Sequence, residues 1–206
     1  MHSNDMKKYD GLLSYFFFYD NNVAYPIITN QKETIQMNYA AEMFEYHIWA
    51  NRTILGRIQE LPSDVLSREV NSSFPTLAHA LSHIYAVDKM WYLILTGMEM
   101  PEALQACMQL NTDVMHTVDE YVLAFDRLAE LYRDWFQSQP DLEQPVRLDN
   151  PFAGIRDTRL SEMVLHVANH GSYHRGNVST MLRQLGYASV MNDYALFWYQ
   201  KPVESH

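Results

Sequence analysis

The sequence predicts an all-α protein: a four-helix bundle with an N-terminal extension before it and a docked C-terminal tail after it. Three observations carry this. Apolar residues recur at three- and four-residue spacing through four long segments. Only 7 Gly and 8 Pro occur in 206 residues, too few for an all-β fold with many tight turns. Hydrophobic residues make up 48% and charged residues 19%, a globular composition with enough apolar mass for a core without disulfides.

Residues 1–36 carry aromatics without period (Tyr15 to Tyr19) and turn-formers such as Asn21-Asn22 and Tyr25-Pro26. They read as an N-terminal extension without assigned function, or as an overlong start with Met37 as the natural initiator. The domain proper is expected over 37–206. Phe44, Ile48, Leu55, Ile58 and Leu61 mark a first helix over 38–61, closed by Pro62. A second runs from Pro75, placed in its first turn, to Leu95. Leu77, Leu81, Ile84, Val87 and Trp91 face inward and Gly97 stops it. A Met-rich connection follows. A third helix near 112–137 has the stripe Val114, Val118, Tyr121, Phe125, Leu128, Tyr132 and Trp135. Residues 141–157 read as a loop with room for a short hairpin. Asp157 or Thr158 is the expected cap of a fourth helix over 159–185, with Gly186 as its stop. The tail, with Tyr194, Leu196, Phe197, Trp198 and Tyr199, is aromatic enough to dock on the helices.

Several function classes are excluded at this level. The balance of 25 Asp+Glu against 15 Lys+Arg, with no basic run, argues against nucleic acid as a partner. No apolar run approaches the roughly 18 residues a membrane helix needs, and no signal peptide is read. Cys107 is the single cysteine, so no internal disulfide and no cysteine-based zinc cluster can form. These features suit a cytoplasmic protein.

The chain holds 9 His, and the informative stretch is His166-Val-Ala-Asn-His170-Gly-Ser-Tyr-His174-Arg175-Gly176. Positions four apart lie one turn apart on one helix face, the geometry by which a helix grips a metal with two imidazoles. His166 and His174 are separated by about 80° and roughly 12 Å along the axis, so one adjacent pair is expected to bind rather than all three. A catalytic site usually adds a third protein ligand and keeps an open position. His83 on the inner side of the second helix can supply it. His79, one turn earlier, competes, and His47 on the first helix can approach the same cavity.

The segment His166 to Asn177, followed by Leu182-Arg183-Gln184-Leu185-Gly186, resembles the last-helix signature of the DinB/YfiT-like metalloenzymes. Phe44 to Asn51 is similar to the family's first helix, and Phe74 to Trp91 to its second. The resemblance spans about 37–200. It implies a four-helix bundle with one divalent metal, Zn²⁺ or Ni²⁺ first, held by His83, His170 and His174. His166 then becomes a pocket residue beside the ligands. From the residues themselves, His47 with Asn51, one turn apart on the first helix, can line the pocket, and Arg175 either faces a cosubstrate carboxylate or takes a surface or helix-end role. The extra imidazoles at 47 and 79 depart from the pattern and leave room for a fourth ligand.

The resemblance also implies a thiol-dependent enzyme acting on small electrophiles. Three neutral ligands leave the ion its full charge, so a thiol or water in the open position ionises more easily. With Cys107 in a predicted connection, the thiol is expected from a low-molecular-weight cosubstrate. The competing expectations are a metal-dependent hydrolase and a non-catalytic metal-binding stress-response module. In the non-catalytic reading a homodimer contact would matter more than any turnover.

Overall fold

A computed structural model describes residues 38–200. The expected extension over 1–36 lies outside the described residues. Six α-helices, a 3-10 turn at Ser63–Leu66 and one two-stranded hairpin make up the described region.

Helix α1 (Tyr39–Gln59) starts at Asn38, whose Oδ1 accepts from the amides of Ala40 at 3.1 Å and Ala41 at 3.3 Å. Its expected residues Phe44, Ile48, Leu55 and Ile58 are buried, and so are Tyr46, Trp49 and Ala50 on a second strip. That second strip is covered by Phe197 from the C-terminal segment.

Helix α2 (Leu77–Leu95) is capped by Thr76, whose hydroxyl accepts from the His79 amide at 3.3 Å. Pro75 therefore precedes the cap rather than sitting in the first turn. At the other end, the Met98 amide donates to the Leu93 carbonyl (2.9 Å) and the Gly97 amide to the Ile94 carbonyl (3.0 Å). This closure needs a left-handed residue, and Gly97 supplies it at φ 100°.

The expected Met-rich connection is in fact helix α3 (Met100–Thr112), with Pro101 in its first turn. It buries only Met100, Ala103 and Cys107, and it packs along α2. So narrow an apolar strip is weak in the sequence. Cys107 consequently lies on a buried helix face, not in a loop.

Helix α4 (Val118–Ser138) begins later than expected because Thr117 and Glu120 form a reciprocal cap. The Thr117 hydroxyl accepts from the Glu120 amide at 3.3 Å, and the Glu120 carboxylate accepts from the amides of Thr117 (3.1 Å) and His116 (2.7 Å). Val114 thus falls outside the helix, while Tyr121, Phe125, Leu128, Tyr132 and Trp135 are buried.

Strands β1 (Pro145–Asn150) and β2 (Gly154–Arg159) pair antiparallel, with Asn150 opposite Gly154. Asp157 and Thr158 belong to β2 and do not cap the last long helix. That helix, α5 (Leu160–Gln184), is closed at its start by Glu162, whose carboxylate accepts from the Arg159 amide (3.0 Å) and the Thr158 hydroxyl (2.9 Å). Helix α6 (Tyr194–Trp198) buries Phe197, whereas Trp198 and Tyr199 are exposed.

Helix α5 packs against both α1 and α2, and α4 packs against the same two. The core divides into two apolar clusters along these helices. One contains Phe44, Ile48, Trp91, Leu128, Tyr132 and Val167. The other contains Leu55, Ile58, Leu81, Ile84, Tyr121 and Val178. Between them lie His47, Asn51, Asp88 and Arg175, all buried. Among the described residues no helix is long and apolar enough to cross a membrane.

Candidate metal centre

His83 on α2 and His170 and His174 on α5 offer one ligand atom each, and these atoms lie within 4.8 Å of one another. The ring centroids stand 4.4 Å apart for 170 and 174, 4.5 Å for 83 and 174, and 5.1 Å for 83 and 170. The four-residue step on α5 stacks two imidazoles on one face, and the α2–α5 packing brings the third opposite them.

The chemistry of this donor set fits a divalent transition metal. Burial first, then the neighbouring imidazoles at 174, 83, 166 and 47, holds His170 down at about 3. Burial and His83 hold His174 down at about 4. Both rings are therefore neutral near pH 7 and keep a lone pair to donate. Among the described residues His170 Nδ1 is buried without a hydrogen-bond partner, an arrangement that costs free energy unless something else satisfies it.

His83 Nδ1 stands 2.7 Å from Asn111 Oδ1. The amide oxygen can only accept, so Nδ1 carries the proton and Nε2 keeps the lone pair. The Asn177 amide nitrogen stands 3.3 Å from His174 Nδ1. Phe74 packs on His83 and His174 at 5.2 and 5.4 Å, and the exposed Tyr173 ring meets His174 edge-on at 4.9 Å.

The other candidates are placed elsewhere. His166 is exposed, 6.0 Å from the His170 ring and 4.9 Å from Trp91, and is not in the three-residue cluster. His79 turns to its own cap, with Nδ1 2.8 Å from the Thr76 hydroxyl. His47 does not reach into the cluster as a ligand, because both its nitrogens are engaged in the interior. Arg175 Nη1 donates to His47 Nδ1 at 3.1 Å and to Asn51 Oδ1 at 2.9 Å. A guanidinium only donates, so the His47 proton is on Nε2, which donates to Asp88 Oδ2 at 2.8 Å.

Arg175 is also not the carboxylate-facing residue that the sequence suggested. It is 2% exposed, donates through Nη2 to Ser172 at 2.8 Å, and lies over the Tyr46 ring at 5.4 Å. Tyr46 and Trp49 are covered by Phe197.

Three residues that matter here carried no assignment from the sequence. Asp88 sits between Ile84 and Trp91 on the inner side of α2, and an acid on an apolar face is a signal of a buried partner. Gly171 lies mid-helix, where glycine is unfavourable. A Cβ there would overlap the His47 ring and stand 2.8 Å from Arg175 Nη1, so glycine is what lets α5 approach α1. Asn111 offered no signal, because its helix was not anticipated.

The chain matches the DinB family over residues 31–204. It is 39% identical over 168 residues to the protein DinB of Bacillus subtilis (strain 168), covering 81% of this chain and 98% of that protein. Its fold is similar to the crystal structure of a DinB-like protein from Bacillus cereus ATCC 10987. The TM-score is 0.56 at 20% identity, over 75% of this chain and 96% of that one. A family match across most of the chain, joined to a relative of this identity, means that the chain belongs to the DinB family.

Proposed function

We propose that this DinB-family chain is a metal-dependent transferase that joins a low-molecular-weight thiol to a small electrophile. In this reading α1, α2, α4 and α5 form the family's four-helix bundle, and His83, His170 and His174 hold one Zn²⁺ or Ni²⁺. The observation that carries it is the cluster itself: three imidazole nitrogens within 4.8 Å, from two helices. A divalent ion there would supply the positive charge that makes a thiol in the open position easier to ionise.

The remaining steps belong to the chain. His47 and His79 are engaged elsewhere, so neither closes the site as a fourth ligand. That favours an open position over a sealed structural site. Burial pushes the Cys107 thiol up, which keeps it protonated and unreactive. An external thiol is therefore the nucleophile. Phe74 and Tyr173 beside the cluster offer apolar surface to the electrophile.

The test begins with metal analysis of untagged protein. One equivalent is expected in the wild type, none in His83→Ala, His170→Ala or His174→Ala, and full content in His79→Ala and His166→Ala. Full metal in His83→Ala with loss in His79→Ala would overturn the ligand set. The metallated protein is then screened with thiols and a generic electrophile. Turnover is expected to require thiol, to stop with chelator and to return with added metal. Equal turnover without thiol would make the enzyme a hydrolase, and none with any pair would make it a binding module.

A further inference from the structure

We infer that Asn111 is a positioning residue for the metal centre, acting through the tautomer of His83. This rests on the reading of His83 as a ligand. The imidazole can bind a metal only through a nitrogen that bears no proton, so the site needs one particular tautomer of His83. Asn111 Oδ1, 2.7 Å from Nδ1, holds the proton on that nitrogen and leaves Nε2 free.

Asn111 is not merely a neighbour that happens to touch the ring. It stands at the end of α3, and the chain that follows is anchored to α2 and α4. The Ser82 hydroxyl, one residue from His83, donates to the Asp113 carbonyl at 2.9 Å. The Met115 amide donates to the Tyr121 hydroxyl at 3.1 Å, and that hydroxyl donates to the Ala78 carbonyl at 2.8 Å. Ser82 is 1% exposed and Tyr121 is fully buried. Two buried side chains therefore fix the segment that carries Asn111 against the turn that carries His83. Helix α3 supplies no ligand, and this contact gives it a part in the site.

The test uses the full chain with Zn²⁺ or Co²⁺ as the probe, titrated against a competing chelator. Asn111→Ala is expected to weaken metal affinity by about 10- to 100-fold. Asn111→Asp, which still accepts the bond, is expected to stay close to the wild type. Long-range ¹H–¹⁵N spectra of the metal-free protein supply a second readout. His83 should carry its proton on Nδ1 in the wild type and Asn111→Asp, and shift towards Nε2 in Asn111→Ala. Unchanged affinity in Asn111→Ala overturns the inference, and so does lost affinity with an unchanged tautomer. If the wild type binds no metal, the ligand reading fails, and an Nδ1 proton that stays in Asn111→Ala overturns the positioning role independently.

Discussion

Gly171→Ala is the substitution in which the packing of this fold can be tested most sharply. The added methyl would overlap the His47 ring and meet Arg175 Nη1 at 2.8 Å. The ring cannot swing aside cheaply, because it is 2% exposed and bonded at both nitrogens to Arg175 and Asp88. Either α5 moves away from α1, or the buried polar contacts break. Overpacking costs about 1–3 kcal/mol, and breaking a buried charged contact costs about 3–5 kcal/mol. Replacing a mid-helix glycine returns about 1 kcal/mol. The expected net loss is about 0–2 kcal/mol if α5 shifts and about 2–4 kcal/mol if the contacts break, which for a domain of this size lowers Tm by up to about 16 °C. Gly176→Ala is the control, since nothing lies within 4 Å of its added Cβ. It should be neutral or stabilising by up to about 1 kcal/mol. Urea and thermal unfolding of both variants decide it. Equal stability of the two would refute the close approach of α5 to His47.

Other outcomes follow from the same geometry. Arg175→Met leaves Asp88 buried without its counter-charge and should cost about 3–5 kcal/mol. Arg175→Met combined with Asp88→Asn should cost clearly less than the sum of the two singles, and additive losses in a double-mutant cycle would show that the groups do not communicate through His47. Metal-free protein should lose stability as pH falls from about 6.5. His170 at about 3 and His174 at about 4 bind protons in the unfolded chain well before they do in the folded one. Stability is thus fully present above pH 6.5 and is lost towards pH 3–4, by at most about 1.4 kcal/mol per pH unit for each histidine. Urea midpoints at pH 7, 6 and 5 measure this, and His170→Gln must flatten the slope.

What the sequence revealed of the fold depended on how wide each apolar face is. Helices α1, α2, α4 and α5 bury broad stripes and could be read directly. Helix α3 buries three side chains and could not. Boundaries failed where a side chain rather than periodicity sets the end. Glu120 holds the start of α4 at Thr117, and Glu162 moves the start of α5 past Asp157. At the site, a four-residue step between imidazoles is legible because it follows from helix geometry alone. The fates of His47 and Arg175 depended on which neighbouring helix each faces, which is a tertiary fact. Their contacts span 128 residues of chain.

The imidazole cluster and the buried polar layer occupy the same two turns of α5, and this explains how the cluster is held. His170 and His174 are four apart and meet α2 through His83. Gly171 and Arg175 are also four apart, one residue further on, and meet α1 through His47. One residue is a rotation of about 100°, which is what a helix packed against two neighbours requires. Rotating α5 to move the imidazoles away from His83 would drive position 171 into His47 or pull Arg175 from its acceptors. The His47–Asp88 bond then ties α1 to α2, the helix that carries His83. The three helices form a closed loop of buried contacts, with the imidazole cluster on one side of α5 and the charged layer on the other. Gly171→Ala should therefore weaken metal affinity although it touches no ligand. Affinity equal to that of Gly176→Ala would show that the two sides of α5 are independent.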